Sequence, residues 1–170
     1  MSRIGRLAIR PAREEDVDVL VSFNMAMALE TEGRSLDQER LRHGILAVFQ
    51  SPTRGFYMVA ERSEQPPSII GQLLVTYEWS DWRNASFWWI QSVYVRPGWR
   101  RQGVYRRMHQ SILDLARVRE DVCGIRLYAE EHNVTAQVVY EHVGLCRSSY
   151  RIYEQDFVLP KIDRHHGFCP

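Results

Sequence analysis

The chain has 170 residues, of which 45% are hydrophobic and 25% charged, proportions that suit one globular domain with a substantial core rather than a linked pair. Its net charge is +1, so no global field recruits nucleic acid or an anionic membrane and any basic site must be local. Cys123, Cys146 and Cys169 are odd in number and not closely spaced, which favours reduced thiols in a cytoplasmic protein over a disulfide framework or a metal centre. No N-terminal apolar stretch suits a signal peptide, and no run approaches the roughly 20 residues of a membrane span. The expected domain is residues 1–159. Residues 160–170 read as a tail, and its adjacent His165 and His166 cannot readily direct both rings at one ion.

In chain order, Leu7 to Arg10 is a short strand candidate before Pro11, and Val17, Leu20, Val21, Asn24 and Ala28 recur at helical spacing within Glu14 to Glu30. Gly33 breaks that pattern. Ser35 with Gln38 then forms a capping-box pair ahead of a second helix, with Leu41, Ile45, Val48 and Phe49 on one face. Phe56 to Glu61, Ile69 to Trp79 and Phe87 to Val95 are β-branched and aromatic runs separated by polar or proline-rich turns, and the last two read as an antiparallel pair. A helix is predicted from Val104 to Val118, burying Val104, Met108, Ile112 and Leu115. After it come a strand at Gly124 to Ala129, a helix capped by Asn133 and ended by Gly144, and a last strand around Tyr150 to Glu154. The alternation predicts an α/β fold with a mixed, mostly antiparallel sheet and helices on both faces.

The segment Arg100-Arg101-Gln102-Gly103-Val104-Tyr105 joins a predicted strand to a predicted helix. A helix start leaves several backbone N–H groups unpaired at its positive end, and the arginines around Gly103 add guanidinium forks suited to phosphate. The plainer account is a tight turn with solvated arginines. Arg106 and Arg107 supply more charge than a turn needs, and the apolar face of the helix would fix its N-terminus, which favours an anionic guest such as a pyrophosphate. Glycine fingerprints for dinucleotides or a Gly-Lys-Ser/Thr ending are absent.

Arg100-x-x-Gly103-x-Tyr105, followed downstream by Asn133, Ala136, Tyr140 and Gly144-Leu145, resembles the two ordered motifs of the GNAT superfamily of acetyl-CoA-dependent N-acyltransferases. The likeness extends over about Leu7 to Phe157. It implies a GNAT-like fold and an acetyl-CoA cleft, with no metal. The backbone of Val93, Tyr94 and Val95 would pair with the pantetheine arm like an added strand. Gln102, Gly103, Val104, Tyr105 and Arg106, with Arg100 and Arg101 nearby, would receive the pyrophosphate, and Asn133 and Ala136 would line the opposite wall. Tyr140 would protonate the departing thiolate and the Val93 N–H would polarise the acetyl oxygen. Read from the residues alone, Tyr140 at helical spacing from Ala136 is better suited to packing.

Two positions depart from the family pattern. Tyr105 stands where the family has a small residue, so its side chain must turn away from the phosphates. Trp89 stands where some members carry a glutamate base, leaving Glu78, Asp81, Glu30, Glu32 and His132 as candidates to deprotonate the amine. Trp79, Trp82, Trp88 and Trp89 cluster near one predicted hairpin end. They read either as core plus a homodimer surface, or as an acceptor pocket in which Glu30, Glu78, Trp79, Asp81 and Trp89 attract a cationic amine. The leading expectation is an N-acetyltransferase acting on a primary amine of a small molecule or peptide by direct attack in a ternary complex. The alternative is a catalytically weak module that binds CoA or acetyl-CoA. A nucleic-acid contact through Arg96 to Arg107 is disfavoured by the near-neutral charge.

Overall fold

The computed structural model describes residues 7–64 and 66–159. The expected tail, with His165, His166 and Cys169, lies outside the described residues. Strand β1 (Leu7–Pro11) leads through a 3-10 turn (Glu14–Asp16) into helices α1 (Val17–Glu32) and α2 (Gln38–Gln50). Strands β2 (Phe56–Arg62), β3 (Ser68–Ser80) and β4 (Ala85–Val95) follow, then a 3-10 turn (Pro97–Trp99), α3 (Val104–Arg117), β5 (Val122–Arg126) and α4 (Val134–His142).

The five strands lie in sequence order, β1 to β4 antiparallel and β5 parallel to β4. This is the mixed, mostly antiparallel sheet that the sequence predicts. Because side chains alternate across a strand, neighbouring residues feed opposite cores. Tyr57 and Val59 of β2 pack under α1 and α2 with Leu20, Phe23 and Ile45, whereas Met58 and Ala60 pack under α3 with Val104, Met108 and Ile112. Each of the fully buried apolar side chains among them contributes about 1.5–3 kcal/mol relative to exposure. Helices therefore cover both faces.

Several local expectations are corrected. The cap of α2 is Asp37, whose Oδ1 accepts the Arg40 N–H at 2.8 Å, rather than the Ser35–Gln38 pair. An Asp directly before the helix reaches the third N–H of the first turn without any detour of the chain. On α3, Leu115 is 41% exposed, and Tyr105, His109 and Ala116 join Val104, Met108 and Ile112 as the buried residues. Strand β5 is Val122–Arg126, displaced toward the N-terminus from the expected Gly124 to Ala129. Tyr150 to Glu154 forms no strand: the segment is exposed, with Tyr153 at 90%, and has no ladder partner among the described residues, so its alternating pattern is not matched by a neighbour there. Among the described residues no helix is long and apolar enough to cross a membrane, and Cys123 and Cys146 are free thiols.

Candidate active site

The parting of β4 from β5 opens the site. Their parallel register runs from Ser86↔Val122 to Trp89↔Arg126 and stops, while β4 continues to Val95. From Ile90 to Val95 the β5 side of β4 has no strand partner among the described residues, so an extended chain could add there. A bulge lies in the same stretch. Gln72 pairs with Tyr94 and Leu74 with Gln91, so Ser92 and Val93 together face the single residue Leu73. Ser92 takes φ 50° to make this possible. The bulge also switches parity: Trp88 and Ile90 point into the α3 core before it, and Val93 and Val95 do so after it.

The chain leaves β4 through Pro97–Trp99 and reaches α3 at Gly103, which caps the helix with φ 79° and has no side-chain cap. The first intrahelical bond runs from the Arg107 N–H to the Gly103 carbonyl at 3.1 Å. Among the described residues, no backbone carbonyl accepts from the N–H groups of Gln102 to Arg106. Nothing lies within 4 Å of where a Cβ on Gly103 would be. These groups form an open donor cradle at the positive end of a well-buried helix, fit for an anion. Tyr105 does not obstruct it: its ring is 9% exposed, lies in the α3 core and meets Tyr140 edge to face at 5.4 Å.

Arg100 is not free above this cradle. Its Nε donates to the Val95 carbonyl at 2.7 Å, its Nη2 to Glu30 Oε2 at 2.5 Å, and its guanidinium lies 5.3 Å from the Tyr94 ring. Tyr94 Oη also donates to Glu30, at 3.0 Å to Oε1. Burial works against the charge on Glu30, but the hydrogen bonds from Arg100 and Tyr94 outweigh it and hold its carboxyl below the usual range. The sequence placed Glu30 among acceptor-pocket carboxylates. Its partners instead tie the last turn of α1 to the end of β4. Arg101, at φ 60°, and Arg106 are exposed near the cradle.

Opposite, Asn133 Oδ1 accepts the Ala136 N–H at 3.1 Å and caps α4, and Gly144 at φ 92° lies just past its end. Tyr140 packs on the α3 core, and burial raises its phenol above the ordinary value near 10.0. The helix has no fully buried residue, so Tyr140 and Val143, both packed against that core, provide its apolar anchorage.

The tryptophan-rich segment does not converge. Trp88 is 6% exposed and packs against Phe56 on the α3 face, whereas Trp89 points to the other face. There its Nε1 donates to Glu78 Oε2, while Arg126 Nη1 donates to Glu78 Oε1 at 2.8 Å and the Tyr128 ring stands 6.0 Å away. Glu78 thus has both oxygens engaged. Trp79 and Trp82 are 61% and 84% exposed at the hairpin end, and Asp81 there accepts the Trp82 N–H. Trp79 pairs with Ser86, seven residues before Val93, so it and Asp81 lie on the order of 20 Å from the bulge and are not brought to it. Glu32 pairs with Arg34 at 3.5 Å, and His132 is exposed. Sequence reading missed Gln72, which is fully buried beside the bulge. A lone glutamine within Ile69 to Val75 was its only signal.

Residues 22–145 match the model of the acetyltransferase (GNAT) family. A possible acetyltransferase from Clostridium difficile 630 has the same fold at TM-score 0.81 and 37% identity, the match covering 89% of this chain and 98% of that one. The chain belongs to the GNAT acetyltransferase family. The fold recurs in a predicted acetyltransferase from Clostridium acetobutylicum, solved with acetyl-CoA, at TM-score 0.71 and 17% identity over 88% of this chain and 96% of that one. It recurs also in glucosamine-6-phosphate N-acetyltransferase from Arabidopsis thaliana, at TM-score 0.67 and 17% identity over 88% and 98%. No curated protein matches the chain.

Proposed function

We propose that this acetyltransferase moves an acetyl group from acetyl-CoA to a primary amine of a small molecule or peptide, by direct attack in a ternary complex. The observation that carries the reading is the parting of β4 from β5 after Trp89, with the donor cradle of α3 at the end of the same strand. The unpartnered edge of Ile90 to Val95 suits an extended arm with amide groups, and the N–H groups of Gln102 to Arg106 suit the pyrophosphate at its end. Acetyl-CoA supplies an activated thioester carbonyl. In this reading the Val93 N–H donates to that carbonyl oxygen as the amine nitrogen forms the C–N bond and the C–S bond breaks. The Tyr140 hydroxyl gives its proton to the leaving sulfur, and the proton shed by the amine passes through solvent to restore the phenol. The Tyr140 phenol, protonated through the neutral range at its ordinary value and raised further by burial, has a proton to give. Tyr105 turns into the core and leaves the helix start open, so the alternative of a catalytically weak module that binds CoA or acetyl-CoA rests on Trp89 alone.

The test is release of free CoA thiol from acetyl-CoA across a panel of amines. Turnover with at least one amine, lost by 10²-fold or more in Tyr140→Phe, is the expected result on the usual scale of general acid catalysis. Binding of acetyl-CoA with no turnover for any acceptor would overturn it.

A further inference from the structure

Gln72 sits on β3 opposite the break in register, fully buried, in a strand whose other inward positions are apolar. Its Nε2 donates to the Ser92 carbonyl at 3.2 Å. Its Oε1 has no hydrogen-bond partner among the described residues. An unpaired amide oxygen in a core is costly, and an apolar side chain of the same volume would avoid that cost. The amide therefore needs an explanation beyond packing.

Its one hydrogen bond supplies the explanation. The Ser92 carbonyl and the Val93 N–H belong to the same peptide unit, which is planar and trans, so they point in opposite directions. A side chain that fixes the carbonyl on the Gln72 side also fixes the N–H away from Gln72. Ser92 needs such a restraint, because φ 50° is a conformation that a serine seldom adopts and that persists only when its surroundings impose it. Backbone pairing alone leaves the bulge loosely held, since two residues of β4 share one partner on β3.

We infer that Gln72 is a positioning residue for acetyl transfer: through the Ser92 carbonyl it sets the direction of the Val93 N–H. This rests on the function proposed above, in which that N–H meets the thioester carbonyl. Gln72 itself touches neither substrate, and its effect passes through one peptide unit.

The test is Gln72→Met, which keeps the volume and removes the donor, with Gln72→Leu as a second variant should methionine repack poorly. In both, the melting temperature is expected to hold or rise, because the unpaired oxygen is gone. The kcat is expected to fall about tenfold or more while KM for acetyl-CoA changes less than about twofold, the pattern of a contact made only in the transition state. Independently of turnover, backbone amide NMR should show the Ser92, Val93 and Tyr94 signals moving and exchanging faster, with core amides of β2 and α3 unchanged. Unchanged kcat, or an unmoved Val93 amide, would overturn the inference. So would a loss of activity accompanied by a matching loss of melting temperature, which marks a merely structural role. If the wild-type protein turns over no amine, the proposed reaction fails, and the amide signals still decide whether Gln72 holds the bulge.

Discussion

Tyr105 and Tyr140 meet edge to face with ring centroids 5.4 Å apart, joining the first turn of α3 to the last turn of α4. Aromatic pairs favour this geometry because the positive ring edge lies against the negative face. The bulky residue at a position where the family has a small one thus anchors the helix that carries Tyr140. Among the described residues the Tyr105 hydroxyl is buried without a hydrogen-bond partner, and His109 Nε2 nearby is in the same state. Tyr105→Phe should therefore leave stability unchanged or raise it by about 1 kcal/mol, whereas Tyr105→Ala should cost about 3–5 kcal/mol by opening a cavity. Denaturant unfolding of the two variants separates hydroxyl from ring, and a large loss in the phenylalanine variant would contradict the assignment.

The buried phenols predict an alkaline limit to stability. Burial pushes Tyr57 up to about 12 and raises Tyr105 and Tyr140 above the ordinary value near 10.0. A folded-state pKa above the unfolded one means that the folded chain retains protons that the unfolded chain releases. The stabilisation is complete below about pH 10 and is lost as pH rises through the folded values. Ultraviolet titration should show Tyr57, Tyr105 and Tyr140 ionising only together with unfolding.

Gly103→Ala tests the cradle. The added methyl meets no atom, so its cost is conformational and comes from φ 79°, about 1–2 kcal/mol. Relaxing that strain would turn the N–H groups that follow, so acetyl-CoA affinity should fall by tenfold or more while the protein remains folded at 25 °C. Calorimetric titration with acetyl-CoA measures this, and undiminished affinity would rule out the cradle as the phosphate site.

Glu30→Gln tests the contact that occupies Arg100. The substitution keeps a shape that can accept from Tyr94 but removes the charge opposing the guanidinium, freeing Arg100 toward the adjacent cradle. Both partners are partly exposed, so the pair is worth at most about 1 kcal/mol. Acetyl-CoA should bind about 2–5-fold more tightly, with the gain shrinking as salt is raised. A weaker complex at low salt would show that Arg100 serves the site through its present contacts.

What was legible in the sequence was local. The Gly103 turn, the buried stripe beginning at Val104, the Asn133 cap and the Gly144 terminator each depend on a few consecutive residues, and each stands where the pattern put it. Errors arose where a pattern needed a distant partner. Tyr150 to Glu154 has the composition of a strand but no strand beside it among the described residues, and Leu115 keeps helical spacing but falls at the rim of the face that α3 buries. The tryptophans read as one cluster because they are close along the chain, yet strand alternation sends Trp88 and Trp89 to opposite faces.

By itself the sequence determined the mixed α/β architecture, the junction at Arg100 to Tyr105 and the family motifs, because turn chemistry, capping and hydrophobic period act within a few residues of one another. Only the tertiary structure decided how far β4 follows β5, where the bulge at Ser92 falls, that Arg100 turns to Glu30 and that Tyr105 turns to Tyr140. These depend on register and on contacts between residues far apart in the chain. Arg100 and Glu30 are 70 positions apart and Gln72 and Ser92 are 20, distances over which no local pattern specifies which groups will meet.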